Sequence, residues 1–315
     1  MARPIPNPIS GKPLIIEARI NEYMARGPNP HVPYTPEEIA ESATRAREAG
    51  ASIVHFHARG SDGTPLHNAG VYAEAIRLIR AQSDILVHPT LGQVNVDGGV
   101  DARTAHIRAL CDQGLAPDFV PVDTGSTNID RFVSPTVGFE TGNRVYANSV
   151  ETLLGFTRVF REMGVRPQFL SWTVAFTRMF EALRAMGEVE DVPFVLFELT
   201  DHGILGGHPG TVRGLLAHLD FLPEAPLEWT VCNKVGNLTA PGATAIEMGG
   251  HVSVGLGDYL WPELGTPTNA EVIAKFTQLA QTMGRPIASP AQTREMLRLP
   301  AVAKQTETSA NRLAV

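Results

Sequence analysis

The sequence of 315 residues predicts an α/β fold, a (β/α)8 TIM barrel with additional C-terminal helices. Eight short apolar runs of strand character alternate with helical segments, and many of the runs end in polar residues. No change of composition marks a linker, so we expect residues 1–315 to form a single barrel domain. A doubly wound parallel sheet is the weaker alternative.

The predicted elements follow one another in strict alternation. Apolar, β-branched and aromatic runs bounded by Gly, Pro or Asp predict strands at 13–19, 51–59, 84–90, 118–125, 167–173, 193–200, 227–232 and 251–256. Amphipathic segments predict helices at 36–50, 72–82, 101–113, 150–163, 176–186, 211–219 and 241–248, followed by 269–283 and 290–297. Thr35, followed by Pro36 and Glu38, has the pattern of a capping box, and Asp101 is a candidate N-cap.

Composition and charge argue against several classes of protein. The chain is 43% hydrophobic and 19% charged, with a net charge of -7. Proteins that bind nucleic acid or an anionic membrane usually carry an excess of positive charge, which this chain lacks. The Pro-rich first eight residues lack the apolar core of a signal peptide, and no stretch has the length of a membrane span, so we expect a cytoplasmic protein. Cys111 and Cys232 are the only cysteines, which argues against a disulfide framework or a thiolate zinc site.

The second predicted strand ends in His55-Phe-His57, just before a turn at 60–63. Side chains two apart on a strand share a face, with Cα atoms roughly 6.6 Å apart, so the two imidazoles can chelate one metal ion. Neutral imidazole is the commonest metal ligand. The alternative is that both are satisfied core histidines, but two on one face at the end of a strand are harder to explain by packing.

Polar residues collect at the other strand ends, where barrel enzymes place their sites. Glu17 and Arg19 share one strand face, so they form either an interior ion pair or a site for a substrate carboxylate. Lys234 is expected to be a solvated charge unless an anionic ligand is present. Asp123, Thr124 and Asp201 are expected to cap turns or helices. His202 and His208 lie in a glycine-rich loop, where they are either exposed loop residues or ligand contacts.

Several motifs, in order, resemble the β-keto acid cleavage enzymes, whose founding activity is the cleavage of 3-keto-5-aminohexanoate. They are Pro-Leu-Ile-Ile at 13–16, the helix start at 35–38, and the segments 48–59, 249–258 and 284–295. The resemblance implies a barrel, a homotetramer and one divalent metal, usually zinc. It also implies the reaction of a β-keto acid with acetyl-CoA to give acetoacetate and a new acyl-CoA.

The resemblance also implies residue roles. His55 and His57 hold the metal, which polarises the keto carbonyl. Asp258 falls on the carboxylate base and Thr90 on a position that faces substrate. The chain departs from the family where members commonly carry Arg and Glu on the eighth strand, because those positions are Ser253 and Gly257 here. Pro89 and Pro121 replace hydroxyl side chains after the third and fourth strands.

We hypothesise that the missing pair has moved to the first strand, which neighbours the eighth in a closed barrel. Glu17 is then the third metal ligand and Arg19 the carboxylate clamp, with Glu22 and Glu198 as rival ligands. The full hypothesis assigns metal binding to His55, His57 and Glu17, catalysis to Asp258, Arg19 and Glu22, and substrate binding to Thr90, Asn21 and Ser253.

Two other functions are open at this point. A zinc-dependent barrel hydrolase also uses His-x-His but needs further histidines after the fifth and sixth strands, where only His202 is a candidate. A non-catalytic ligand-binding relative would explain the lost strand-eight pair. Trp172, Phe197 and Trp261 suggest a pocket for an uncharged or apolar side group.

Overall fold

The computed structural model describes residues 11–22, 24–91 and 99–300, and its centre is a parallel sheet curved into a nearly closed barrel. The strands in the described part are β1 (Ile16–Arg19), β2 (Ile53–Phe56), β3 (Leu86–Pro89), β4 (Phe119–Asp123), β5 (Thr127–Asn128), β6 (Phe132–Ser134), β7 (Gly138–Phe139), β8 (Val145–Tyr146), β9 (Arg166–Ser171), β10 (Phe194–Thr200), β11 (Glu228–Lys234) and β12 (His251–Val254). The barrel order is β3-β2-β1-β12-β11-β10-β9-β4. All eight predicted strands are confirmed.

The ring is completed between β3 and β4, and this closure excludes the doubly wound alternative. The backbone N–H of Asp118 donates to Val87 O at 3.0 Å, and Val87 N–H donates to the Asp118 carboxylate at 2.8 Å. The first strand pairs with the last, β1 with β12, as a closed barrel requires. The predicted (β/α)8 barrel is therefore confirmed, and its extension over all of residues 1–315 stays a prediction.

Helices cover the outside of the barrel, close to their predicted bounds. They are α1 (Pro36–Glu48), α2 (Ala69–Gln82), α3 (Val100–Asp112), α4 (Val150–Met163), α5 (Val174–Ala185), α6 (Val212–Leu219), α7 (Thr239–Glu247), α8 (Asn269–Thr282) and α9 (Pro290–Met296), with a 3-10 turn at Pro262–Leu264. The capping box at Thr35 is confirmed. The predicted cap Asp101 is wrong: Gly99 is the N-cap, and Asp101 lies in the first turn, where its charge favours the helix dipole.

The barrel interior is layered from apolar to polar. At the amino ends of the strands, Ile15, Ile53, Leu86, Phe119 and Phe194 form an apolar layer, against which the segment after β12 places Ala288 and Leu297. Two residues further along, the inward-facing side chains of β1, β2 and β3 are polar: Glu17, His55 and His88. The apolar layer closes the bottom of the barrel, so these buried side chains lie between it and the carboxyl ends of the strands.

An excursion of residues 124–149 separates β4 from α4 and was not predicted. It contains two antiparallel pairs, β5 with β8 and β6 with β7. It docks on the loop after β10, where a Cβ on Gly203 would lie 2.1 Å from Phe132 O and one on Gly206 would lie 2.2 Å from Asn128 O. These glycines therefore serve the close approach of two backbones.

The tail after Leu299 is rich in Thr, Ser, Ala and Asn, and this composition predicts that it packs poorly or against a neighbouring subunit. Most of the tail lies outside the described residues, as do the Pro-rich first eight residues. Within the described residues, no helix combines the length and apolar character needed to cross a bilayer.

Candidate metal centre and active site

A cavity of about 640 Å³ opens at the carboxyl ends of the barrel strands. Its wall combines strand-end side chains with the excursion. On the strand side it is lined by Arg19, Glu22, His55, His57, Thr90, Asp123, Trp172, Glu198 and Lys234, and on the excursion side by Ile129, Arg131, Glu140, Arg144 and Tyr146. Of the predicted substrate contacts, Thr90 lies on this wall.

His55 and His57 point into the cavity together, as the strand alternation predicts. Their Nε2 atoms are 3.3 Å apart, and both side chains are buried. Two nitrogens bound at about 2.05 Å to one tetrahedral ion would be about 3.3 Å apart. Burial lowers the pKa of His57 well below its usual value, so its imidazole is neutral, as a metal ligand must be.

Asn21 fixes the position of His57 and is not placed against the cavity. Its side-chain oxygen accepts a hydrogen bond from His57 N–H at 2.8 Å. Its amide group donates to the carbonyls of His57 and Pro33, both at 2.9 Å. These bonds engage both ends of the fully buried amide. Asn21 therefore lies beside the histidine pair and off the cavity wall, and its contact with substrate stays a prediction.

Glu22 completes the cluster around the two imidazoles. Its Oε1 lies 2.9 Å from His55 Nε2 and 3.9 Å from His57 Nε2, and its buried Oε2 has no hydrogen-bond partner among the described residues. The Arg59 guanidinium donates to the carbonyls of Glu22 and Met24, which holds the loop after β1 in place. Two imidazoles and a carboxylate that converge with spare lone pairs are a donor set that fits a divalent ion.

Glu17, the predicted third ligand, lies one layer deeper in the barrel. Its carboxylate accepts hydrogen bonds from His88 Nδ1 at 2.6 Å, Gln168 Nε2 at 3.1 Å and Ser253 Oγ at 2.7 Å. Ser253, predicted to bind substrate, is fully buried in this layer. Glu17, His55 and His88 do form a second group of possible ligands, but Glu22 is the carboxylate that faces both His55 and His57.

The Glu17–His88 pair makes the free energy of unfolding depend on pH in the acidic range. Burial would raise the pKa of Glu17, but the bond from His88 lowers it from 4.5 to about 2. Burial and neighbouring His55 lower the pKa of His88 from 6.5 to about 4. Both folded-state values lie below the unfolded ones, so the unfolded chain takes up each proton first. Stability is then lost as pH falls, from 6.5 to 4 for His88 and from 4.5 to about 2 for Glu17.

We expect Glu17→Gln to flatten the lower part of this profile. Between pH 7 and low pH, the free energy of unfolding should fall in both proteins. The fall should be about 3 kcal/mol smaller in the variant than in the wild type, because the variant has no carboxylate to protonate. Urea denaturation between pH 7 and pH 2.5 measures this. Glu247→Gln, at an exposed position at the end of α7, is the matched control. An unchanged profile in Glu17→Gln would contradict the assignment.

Arg19 is the centre of a buried charge cluster. Its Nε donates to Asp258 Oδ2 at 2.7 Å, and its Nη2 meets Glu22 and, at 3.8 Å, Glu198. Burial raises the pKa of Asp258 well above its usual range, and Glu22 adds to this against the opposing effect of Arg19. Part of this effect is a hydrogen bond between the Asp258 and Glu22 carboxyl groups, so Asp258 holds a proton more tightly than an isolated aspartate does.

The opposite wall carries residues whose roles the sequence did not predict. Asp123, expected to cap a turn, accepts hydrogen bonds from Trp172 Nε1 at 2.7 Å and from Tyr146 OH at 2.8 Å. Lys234, expected to be solvated without a ligand, is buried, and its Nζ lies 2.8 Å from Glu198 Oε1. Glu198, the rival metal ligand, is therefore paired with Lys234 and is not part of the group formed by Glu22, His55 and His57.

Other candidates are placed in the core or in loops. Of the three aromatic residues expected at the pocket, Trp172 lines it, whereas Phe197 packs on Trp229, and Trp261 on Phe276. His208 Nε2 accepts a hydrogen bond from the first N–H of α5. The glycine-rich loop thus contributes chiefly to packing against the excursion.

Comparisons with known proteins agree with this architecture. The family model for beta-keto acid cleavage enzyme matches residues 13–299. A 3-keto-5-aminohexanoate cleavage enzyme from Acetoanaerobium sticklandii is 30% identical, covering 90% of this chain and 97% of the relative. A 3-dehydrocarnitine:acetyl-CoA trimethylamine transferase from Rhizobium meliloti is 31% identical, covering 85% and 90%. The solved complex of ObcA with oxaloacetate has a TM-score of 0.69 at 17% identity, covering 86% of this chain and 68% of ObcA, and so shares the fold. This chain therefore belongs to the β-keto acid cleavage enzyme family.

Proposed function

We propose that this protein catalyses a metal-dependent exchange in which a β-keto acid and acetyl-CoA give acetoacetate and a new acyl-CoA. The observation that carries the proposal is the convergence of His55, His57 and Glu22 on the wall of the cavity. Family membership and relatives named as acetyl-CoA-dependent transferases support this function over a barrel hydrolase or a non-catalytic binder.

The proposed metal ligands are His55, His57 and Glu22, with Glu22 in place of the Glu17 of the sequence hypothesis. Zinc is the ion we propose, because two imidazoles and one carboxylate with an open position form a typical catalytic zinc set. A bound ion would act as a Lewis acid on the keto carbonyl. Glu17 instead supports this set from below, through His88, whose ring packs against His55.

The structure gives a physical reason for moving the ligand from the last strand to the first. A Cβ on Gly257, after β12, would lie 2.5 Å from Glu22 N and 2.8 Å from Arg19 O. The loop that carries Glu22 therefore occupies the space that a side chain at position 257 would need. Likewise Ser253 is small and donates to Glu17. The small residues at positions 253 and 257 thus support the proposal that Arg19 and Glu22 take over the functions of the family's Arg and Glu on the last strand.

Arg19 and Asp258 are the proposed partners of the keto acid. Arg19 lines the cavity beside the ligand set, where its guanidinium can bind the substrate carboxylate. Asp258, held by Arg19 Nε, is proposed to accept the α-proton. Thr90 faces the same space and is proposed to contact substrate. A homotetramer is also proposed, as the family resemblance implies, and so is the cytoplasmic location expected from the sequence.

Glu22→Gln compared with Glu17→Gln tests which carboxylate binds the metal. We expect Glu22→Gln to weaken zinc affinity by more than about a hundredfold, because a direct ligand should matter more than outer residues, whose loss costs 10 to 100 times in affinity. Glu17→Gln should stay within that smaller range. Competition with a chelator of known zinc affinity measures both, with acetoacetate release assayed on the same samples. The reverse order of effects would restore Glu17 as the ligand.

A further inference from the structure

Lys234 is a buried cation on the cavity wall that the metal centre does not use. It ends β11, three strands away from β2 around the barrel, and 8% of its side chain is exposed. Among the lysines that the structure describes, Lys12, Lys234 and Lys275, it is the buried one. Removing an ammonium from water is costly, so its position in a cavity calls for an explanation beyond solubility.

The side chain of Lys234 is held in a defined direction. Its Nζ lies 2.8 Å from Glu198 Oε1 and 4.8 Å from the centre of the Trp172 ring. Trp172 is itself fixed by the hydrogen bond from its Nε1 to Asp123 at 2.7 Å. All four side chains line the cavity that also holds His55. The ammonium is therefore preorganised across the cavity from the proposed metal site.

The proposed exchange needs positive charge at two carbonyl groups. After a carboxylate takes a proton from C2 of the keto acid, C2 forms a bond to the thioester carbon of acetyl-CoA, and the carbonyl electron pair moves to the thioester oxygen. When that pair returns, the bond to sulfur breaks and CoA thiolate leaves. The thiolate then adds to the original keto carbon, the C–C bond breaks, and the released carbanion takes back a proton as acetoacetate. The products contain every atom of the two substrates.

A metal ion bound by His55, His57 and Glu22 would polarise the keto carbonyl. The thioester oxygen therefore needs a different positive group to stabilise its developing negative charge. Arg19 is already proposed to bind the carboxylate of the keto acid, in addition to the carboxylates that it meets in the protein. Arg131 and Arg144 stand on the excursion with more than half of their side chains exposed. Charge stabilisation is strongest where donors are fixed and water is excluded. Lys234 meets both conditions among the cations on the cavity wall.

We propose that the Lys234 ammonium binds the thioester carbonyl oxygen of acetyl-CoA and stabilises the negative charge that develops there as the keto acid carbon attacks. This inference rests on the proposed function. It assigns to Lys234 a catalytic role in carbon–carbon bond formation, with Glu198 and Trp172 as the residues that position its side chain.

Lys234→Met tests the proposal in the zinc-loaded protein. Acetoacetate release is measured with acetyl-CoA and two keto acids, one with an apolar side chain and one with a second carboxylate. We expect kcat to fall about a hundredfold to a thousandfold with both, while KM for either keto acid changes by less than about threefold. Lys234→Arg should regain part of the rate. Lys275→Met, on α8, is the matched control and should leave kcat unchanged.

Three results would overturn the assignment. One is an unchanged kcat in Lys234→Met. Another is a loss confined to KM for the keto acid with a second carboxylate, which would make Lys234 a specificity residue. The third is a keto acid adduct on Lys234 after borohydride reduction, which would indicate a Schiff base. Zinc content and melting temperature accompany each variant, and Lys234→Gln replaces Lys234→Met if the latter does not fold. A wild-type protein without activity on any pair would overturn the proposed function itself.

Discussion

Replacing His57 with alanine is expected to remove the bound metal and to lower acetoacetate release by about a thousandfold. The imidazole lies 3.3 Å from its partner His55 and 3.9 Å from Glu22, so its loss leaves two ligands. A Lewis acid lowers the activation barrier by several kcal/mol, and a loss of about 4 kcal/mol of this stabilisation slows the reaction about a thousandfold. Metal analysis of protein purified without added zinc, followed by the activity assay, measures both effects.

The matched control for this variant is His218→Ala. His218 is fully buried in α6 and stacks on Phe197, so its loss removes a buried imidazole outside the metal centre. The control should lose stability and keep its metal. If His57→Ala keeps one metal ion per chain, or if both variants lose it equally, the histidine pair is not the metal site.

Arg19→Leu is expected to have the largest effect on stability. Arg19 is 2% exposed and meets Asp258, Glu22 and Glu198, so the variant leaves three buried carboxylates without this cation. Removal of one partner from a buried ionic cluster costs about 3–5 kcal/mol. Urea denaturation of the metal-free protein measures the change. The surviving folded fraction should also show a raised KM for the keto acid, because the proposed carboxylate partner is gone.

A double-mutant cycle separates the electrostatic part of this loss from packing. In Arg19→Leu with Asp258→Asn, one of the uncompensated carboxylates is also removed, so the combined loss should be smaller than the sum of the single losses. Additive losses, or a loss below about 1 kcal/mol for Arg19→Leu alone, would contradict a central role for Arg19 in charge balance.

The alternation of side chains along a strand made the barrel and the histidine pair predictable. His55 and His57 lie where that rule places them, and the eight strands are confirmed. Glu17 was predicted as a ligand because the first strand neighbours the eighth in a closed barrel, and alternation places Glu17 on one face with Arg19. The alternation rule could not rank Glu22, because Glu22 lies beyond the end of β1, where the backbone leaves the extended conformation and alternation no longer fixes direction.

Residues on the far wall were missed for a different reason. The contacts of Asp123 with Trp172 and Tyr146 join β4, the end of β9 and the excursion, and no local pattern reports such long-range pairs. Strands of two or three residues, as in the excursion, are too short for alternation to be visible. The position of Lys234 could have been predicted from the sequence. Extending the predicted strand by two residues places Lys234 on the same face as Thr230 and Cys232, and β11 does extend to Lys234.

The position of the metal itself tests the central claim most directly. Diffraction from zinc-loaded crystals on both sides of the zinc absorption edge locates the ion by anomalous scattering. We predict one strong peak per chain, about 2.0–2.2 Å from His55 Nε2, His57 Nε2 and a Glu22 carboxylate oxygen. A peak between Glu17, His55 and His88, or no peak in this cavity, would contradict the proposed metal centre and the chemistry derived from it.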